Sequence, residues 1–322
     1  MRVATIDIGT NSVLLLVAES EGGALRPVLE RATVTRLGEG VDSSRRLLDA
    51  ACERTLVCLR SYADQLRDLG VDRMDAVGTS AMRDATGGSE LVARAAEILG
   101  VAPRVIDGNE EARLTFAGAL SGLPASTVLP SAPEAGKVTV FDIGGGSTEI
   151  IVGTSSASAR QIRAAVSLNI GSVRLFERHL RSDPPTAEEM QRVEADIALA
   201  LADAPKPEAD ATLVGVAGTV TQLAALELEL TRYDATRVHG YTLTCQAVDR
   251  LATRLASLTL AQRRTLPGME PARADVLVVG SAIARAVLHW SGAADLVVSD
   301  RGVRWGLAEE LAAQREANGS AS

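Results

Sequence analysis

Two short segments hold the residue types best suited to binding an anion beside a hard cation. Asp7-Ile8-Gly9-Thr10-Asn11-Ser12 and Asp142-Ile143-Gly144-Gly145-Gly146-Ser147-Thr148-Glu149 share one plan: an aspartate near the end of an apolar run, then a glycine-rich polar turn. Glycines let the main chain approach a phosphate closely, and successive N–H groups form an anion-binding nest. An aspartate before such a turn suits hydrated Mg²⁺, which takes oxygen ligands and keeps several waters. A plain hairpin turn would use the same residues. The repetition weighs against that simpler reading. Residues 3–20 align without gaps on residues 138–155, at a constant offset of 135, with Val3/Val138, Asp7/Asp142, Gly9/Gly144, Ser12/Ser147 and Val17/Val152 identical. Such a repeat predicts two similar domains. The copies differ where Leu14 in the first corresponds to Glu149 in the second. Ser147 and Glu149 share a strand face, so the second copy adds an acid beside its aspartate.

Three further segments carry candidate chemistry. In Asp107-Gly108-Asn109-Glu110-Glu111 the first residue is a predicted N-cap and Glu110 its capping-box partner. Glu111 has a weaker structural reason, the helix dipole, which the residues alone favour over the other reading, a base for water. Arg83, in the run 79–85, is either a phosphate-binding guanidinium or a surface arginine at a helix start. Gly218 and Thr219 lie where a strand runs into a helix N-terminus, a ready anion site. Arg301 and Arg304 read as solvated surface, or as lining for a chain of phosphates.

The elements that must position these residues alternate between strand and helix, which predicts an α/β architecture. Strands are expected at about 2–8, 12–19, 25–35 and 73–78, with helices near 47–69, 88–99 and 108–121. A second set comes after them, with strands near 138–143, 147–153, 159–166 and 212–217 and helices near 171–181, 186–203, 218–230, 245–256 and 272–290. A strand at 295–298 and a helix from 303 to 315 close the pattern. Residues 124–136 read as a linker, 205–210 as a surface loop and 317–322 as a fraying tail. The glycine turns sit between two strands, unlike a P-loop or Rossmann turn, which opens a helix.

Segments 7–12 (DIGTNS), 108–114 (GNEEARL) and 142–149 (DIGGGSTE) together resemble the exopolyphosphatase/guanosine pentaphosphate phosphatase (Ppx/GppA) family. The DIG hairpins alone mark only the wider superfamily of actin, sugar kinases and heat-shock chaperones, whereas the GNEEAR segment is more specific. The resemblance extends through 79–85, 217–224, 239–244 and 299–307, and fits the short, two-domain form. It implies an α/β, actin-like (ribonuclease H-like) duplicated two-domain fold with the active site in the interdomain cleft. The domains would be 1–123 plus 302–322, and 124–301, the last helix returning to the first domain. It implies hydrolysis of terminal phosphate from inorganic polyphosphate or a phosphorylated guanine nucleotide, with Mg²⁺ (or Mn²⁺) and a homodimer. Carried over residue by residue, Glu111 becomes the base for the attacking water and Arg83 a phosphate ligand. Asp142 and Glu149 hold metal and position water, with Asp7 contributing to the metal. Thr10, Asn11, Ser12, Gly144, Gly145, Gly146, Ser147, Thr148, Gly218 and Thr219 bind phosphate. This chain departs from many relatives at Ala217, where they have glycine.

Composition narrows the classes. Net charge is −8 and aromatics are 2% of residues, which leaves neither a general polyanion surface nor a stacking platform for bases, so nucleic acid is not the expected partner. No early apolar run is long enough to span a bilayer, and Asp7 and Asn11 interrupt any signal-peptide pattern, so the cytoplasm is the expected location. Cys52, Cys58 and Cys245 have no paired metal spacing and read as reduced thiols. His179, His239 and His289 lie far apart in sequence, which argues against zinc. An actin-like kinase or ATPase, and a non-catalytic sensor of polyphosphate or guanosine polyphosphate, remain as other classes. The first lacks a signature for an acceptor base, and the second has no need of a water base.

Overall fold

The computed structural model describes residues 1–22, 24–124, 135–156 and 159–319, the side chains of 315–319 excepted. Most of the 124–136 linker and the end of the 317–322 tail therefore lie outside the described residues. The elements in chain order begin with β1 (Arg2–Ile8), β2 (Ser12–Glu21), β3 (Ala24–Val34), α1 (Val41–Ser44), α2 (Asp49–Asp68) and β4 (Arg73–Gly78). Then come α3 (Ser80–Asp84), α4 (Gly88–Leu99), β5 (Arg104–Val105) and α5 (Gly108–Leu120). The second half holds β6 (Gly136–Ile143), β7 (Thr148–Ser155), β8 (Arg160–Leu168), α6 (Ser172–His179), α7 (Ala187–Ala202) and β9 (Thr212–Val216). It continues with α8 (Ala217–Glu227), α9 (Ala235–Val238), β10 (Thr242–Thr244), α10 (Cys245–Ser257) and α11 (Leu260–Arg264). The chain closes with α12 (Leu277–Ser291), β11 (Asp295–Val298) and α13 (Val303–Gly319). The longer strands and helices match the sequence pattern. The very short ones, such as α3, β5, β10 and α11, escaped it because a few residues carry too little periodicity.

The chain divides into two units, one of Met1–Gly118 and the segment from Val303 onward, the other of Ala119–Gly302. Their sheets run β3-β2-β1-β4-β5 and β10-β11-β9-β6-β7-β8. In each, a hairpin is followed by a strand parallel to its first member, β1 with β4 and β6 with β9. The duplication reaches fine detail. Register slips between Val17 and Ala18 in the first hairpin pair and between Val152 and Gly153 in the second, at equivalent positions. The fold is the duplicated α/β, actin-like one that the repeat and the resemblance predict.

Strand alternation assigns the faces. In unit 1, Ala4, Ile6 and Ile8 pack with Leu56, Leu59, Leu91 and Ala95 of α2 and α4. Val3, Leu16 and Ala18 pack on the other face against Trp305, Ala308 and Leu311 of α13. Asp7 follows the parity of Val3 and Thr5, and so belongs to the α13 face. Thr5 confirms that side, because its hydroxyl donates to the Arg304 carbonyl at 2.8 Å. In unit 2 the same parity puts Phe141, Ile143 and Ile150 in the main core and sends Asp142 and Glu149 to the opposite face. Among the described residues no helix is long and apolar enough to cross a membrane.

Helix α13 approaches α5 at Gly306, where an added methyl would run into the Leu114 carbonyl, a backbone atom that cannot step aside. Gly306→Ala is expected to cost about 1–3 kcal/mol, the usual range for overpacking. A lowered midpoint of chemical unfolding for this variant relative to wild type checks it.

Candidate active site

Both hairpin turns are built alike. Gly9 N–H donates to the Ser12 carbonyl at 3.0 Å, and Gly144 N–H to the Ser147 carbonyl at 3.0 Å. In each unit a later segment of the chain takes up the carbonyls of the turn. In unit 2 the N-terminus of α6 does so: Ser172 N–H reaches Gly144 O at 3.0 Å, while Val173 and Arg174 N–H reach Gly145 O at 2.9 and 3.0 Å. Arg174 adds a side-chain bond from Nε to Gly146 O at 2.6 Å. A trans peptide plane points its C=O and the next N–H in opposite directions. With the carbonyls of 144, 145 and 146 drawn toward α6, the amides of Gly145, Gly146 and Ser147 are aimed away from it. Three successive amides on one side make a nest for an anion. In unit 1, Gly38 N–H takes Thr10 O at 2.8 Å, and Thr35 and Arg36 N–H take Asn11 O at 3.1 and 3.0 Å. That aims the amides of Asn11 and Ser12 in the same sense. Nothing local in the sequence marks Arg174 or the residues after β3 as clamps, because each acts across a whole strand.

Asp142 and Glu149 are direct cross-strand partners in β6 and β7. Like charges at facing positions repel. Glu149 is only 1% exposed and accepts a hydrogen bond from Ser167 Oγ at 2.6 Å. The equivalent partner of Asp7 is Leu14, so the first copy has a single carboxylate. Thr219, at the start of α8, donates to the Ile143 carbonyl at 3.4 Å and thereby stands beside the second turn with Gly218. An added methyl on Gly218 would collide with the Arg273 guanidinium. Burial holds Arg273 below the ordinary arginine range. This arginine was not singled out from sequence; it lies far along the chain from the turn it borders. Ala217 sits at φ 68°, the left-handed region that glycine occupies without strain.

In unit 1, Thr79 N–H donates to Ile8 O at 3.2 Å and Ile106 N–H to Gly78 O at 3.0 Å, which aligns the ends of β1, β4 and β5. Arg83 follows on α3 and Glu111 on α5. They pair, with Arg83 Nη1 2.8 Å from Glu111 Oε2 and 3.0 Å from Ile106 O. Glu111 is 7% exposed. The Asp107 cap forms as expected, its Oδ1 accepting Glu110 N–H at 2.8 Å. The capping-box role given to Glu110 needs correcting, because its carboxylate pairs with Arg104 at 2.7 Å. Arg304 is not solvated surface: its side chain is largely buried and pairs with Glu30 at 2.8 Å. Arg301 donates to Ser121 Oγ at 3.3 Å.

Each unit by itself offers oxygen donors suited to a hard divalent cation. Oδ1 of Asp7 and Oδ1 of Asn11 are buried and lack a hydrogen-bond partner among the described residues. Asp142 and Glu149 face each other as paired carboxylates. These are oxygen donors whose burial or repulsion a cation would relieve. Burial raises Asp7 to about 6, against a lowering by Arg304.

Comparison with known proteins agrees with this geometry. The sequence pattern of the Ppx/GppA phosphatase family matches residues 16–314. Exopolyphosphatase 2 of Mycobacterium tuberculosis is 38% identical, over 97% of this chain and 98% of that protein. A guanosine-5'-triphosphate,3'-diphosphate pyrophosphatase of Aeromonas hydrophila is 31% identical over 94% of this chain and 58% of its own length. The crystal structure of the Aquifex aeolicus member of the Ppx/GppA family superposes with a TM-score of 0.77 and 32% identity, over 98% of both chains.

The site has two consequences for stability. Between the unfolded aspartate value and about 6 the folded chain keeps a proton on Asp7 that the unfolded chain releases. Stability therefore falls as pH rises through that window, by roughly 3 kcal/mol in full. In chelator-treated buffer Asp7→Asn is expected to unfold at higher denaturant than wild type at pH 7.5, with the gap closing by pH 4. Ala217→Gly removes the left-handed strain at the cost of chain entropy, for a net gain of about 1 kcal/mol, read as a raised unfolding midpoint.

Proposed function

The chain belongs to the Ppx/GppA phosphatase family and is a phosphoanhydride hydrolase, and we propose that it is an exopolyphosphatase releasing terminal orthophosphate from short polyphosphate chains with Mg²⁺. One observation carries the reading: facing carboxylates, Asp142 and Glu149, flank a glycine turn whose carbonyls are drawn off by α6. That pairing suits a hydrated cation beside a phosphate. The preference for short chains is drawn from the net charge of −8, which disfavours a long basic track.

In this mechanism the amides of Gly145, Gly146 and Ser147, with the Ser147 hydroxyl, hold phosphate oxygens. Thr148, assigned to phosphate from the sequence, is corrected by the structure: it shares the core face of β7 with Ile150, and its buried hydroxyl donates to the Ile170 carbonyl at 2.6 Å. Thr10, Asn11 and Ser12 hold others, and Gly218 and Thr219 add the N-terminus of α8. Glu111 accepts a proton from water as its oxygen bonds to the terminal phosphorus. The bridging P–O bond breaks in line, and the shortened chain keeps the bridging oxygen. Arg83 keeps Glu111 aimed and presents the rest of its guanidinium to phosphate. Mg²⁺, held by Asp142 and Glu149 with Asp7 contributing, would supply neutralisation of charge on the non-bridging oxygens.

A second reading, hydrolysis of the 5′-terminal phosphate of guanosine pentaphosphate, is favoured by the likeness to the Aeromonas protein. The same terminal-phosphate chemistry would serve both. The homodimer implied by the resemblance belongs to either reading, and light scattering on the purified protein would test it.

Phosphate release from tripolyphosphate and from guanosine pentaphosphate, measured in parallel with Mg²⁺, separates the two. Wild type is expected to favour tripolyphosphate in kcat/KM, and Glu111→Gln to lose ~10²-fold or more in kcat with KM little changed. A higher kcat/KM on the nucleotide would shift the reading to the second substrate. Undiminished turnover by the variant would remove Glu111 as the base.

A further inference from the structure

Away from both turns, the surface of unit 2 gathers three metal-type donors that sequence spacing kept apart. Cys245 is the first residue of α10 and Asp249 lies one turn later, so both project from the same helical face. His289 stands in the last turn of α12, which packs against α10 in the unit 2 core through Val248, Leu251 and Val287. His289 Nε2 is 2.8 Å from Asp249 Oδ1 and 3.8 Å from Cys245 Sγ. Cys245 Sγ is 3.8 Å from Asp249 Oδ2. One donor atom from each residue fits within 4.8 Å of the other two.

The arrangement distinguishes a metal site from a nucleophilic triad. In a Cys–His–Asp relay the thiol and the carboxylate engage opposite ring nitrogens, so that a proton can pass across the imidazole. Here both approach the same atom, Nε2, and the three donors converge on one point. The thiol also lacks activation, since partial burial and Asp249 both push Cys245 up. With metal–nitrogen and metal–oxygen bonds of ~2.1 Å and a metal–sulfur bond of ~2.3 Å, the edges of a tetrahedron are ~3.6 Å to sulfur and ~3.4 Å between nitrogen and oxygen. The two 3.8 Å sulfur separations, to His289 Nε2 and Asp249 Oδ2, lie close to the first, and the 2.8 Å hydrogen bond between Nε2 and Asp249 Oδ1 would open by about 0.6 Å to admit the ion.

The backbone holds the donors in place. Cys245 N–H donates to the Ala294 carbonyl at 2.9 Å, and Thr244 caps α10 by accepting from Ala247 N–H at 3.2 Å. Gly292, in the left-handed conformation, terminates α12 by donating to the His289 carbonyl at 3.2 Å. The helix dipoles reinforce the charges: the N-terminus of α10 favours a thiolate, and the C-terminus of α12 favours a cation.

We propose that Cys245, Asp249 and His289 form a second divalent-metal site, for a borderline-soft ion with Zn²⁺ foremost, offering three protein ligands and one position open to solvent. A thiolate and an imidazole select zinc, cobalt or cadmium over Mg²⁺, whose ligands are oxygen. Binding converts the Cys245 thiol to thiolate and releases its proton to solvent. The ion then ties α10 to α12 across a gap now bridged by the Asp249–His289 ion pair.

The test uses the full chain in excess Mg²⁺, with Co²⁺ as the optical probe. Wild type is expected to take up one equivalent that gives a thiolate-to-cobalt charge-transfer band in the near ultraviolet, and Zn²⁺ should abolish the band. Cys245→Ser should lose it, and His289→Ala should weaken cobalt binding about 10-fold or more. Phosphate release by both variants should stay within about twofold of wild type, which shows that they fold. A wild type without the band, or a band that survives in Cys245→Ser, overturns the proposal and leaves the three residues as an ion pair with a neighbouring thiol.

Discussion

The direction of a few peptide planes governs the candidate site. At each hairpin turn the carbonyls are held on one side, by α6 in unit 2 and by the segment after β3 in unit 1. Planarity then forces the following amides to the other side. A glycine turn left to itself samples many orientations and would lose entropy on binding an anion. These turns are clamped in advance, which is the physical content of preorganisation. The clamp also sets the demand for small residues next to it. Gly171 precedes α6 because an added methyl there would meet the Gly145 carbonyl and the Gly146 backbone. Three glycines in the turn and one across from it are therefore parts of one arrangement.

Burial and like charge both weigh on the carboxylates around the turns. Asp7 is buried at a cost that shows in its raised pKa of about 6, with Oδ1 lacking a hydrogen bond. Asp142 faces Glu149 across the β6–β7 ladder. Neither arrangement favours the isolated fold, since burial and like-charge repulsion both oppose ionised carboxylates. Local conflicts of this kind are expected where a protein keeps residues for function rather than stability. Ala217 is a third instance, an alanine held where glycine would be relaxed, beside the α8 N-terminus that bears Gly218 and Thr219. The strain is local, and the surrounding strand and helix are regular enough to impose it.

Much of this was legible because the duplicated hairpin repeats without a gap. Face parity follows from alternation alone, so the placement of Asp7 and Asp142 on equivalent faces could be read from the alignment. The aspartate cap of α5 was also readable, being a local signal three residues long. Contacts that close over distance were not. Arg83 meets Glu111 only because β4 and β5 lie side by side and their following helices start at the same edge. Arg174 reaches back across β8 to Gly146, and Arg273 comes to Gly218 from a segment that periodicity read as one long helix. The same limit applied to the histidines. Sequence distance argued against a metal site, yet packing of α10 on α12 sets His289 against Cys245 and Asp249.

Comparison of the two copies shows where function separated them. Their topology, turn hydrogen bond and bulge position coincide, so the scaffold alone does not explain why unit 2 carries two facing acids and unit 1 one. The difference lies in a single strand position. Leu14 gives β2 an apolar residue opposite Asp7, a carboxylate whose pKa burial raises. Glu149 gives β7 a second carboxylate, oriented by Ser167. An isolated carboxylate in an apolar setting tends to keep its proton, whereas a facing pair in reach of a polar turn is better suited to hold a cation. One substitution between otherwise matching hairpins thus separates the two copies: unit 2 carries a facing pair of carboxylates beside its turn, and unit 1 a single buried aspartate.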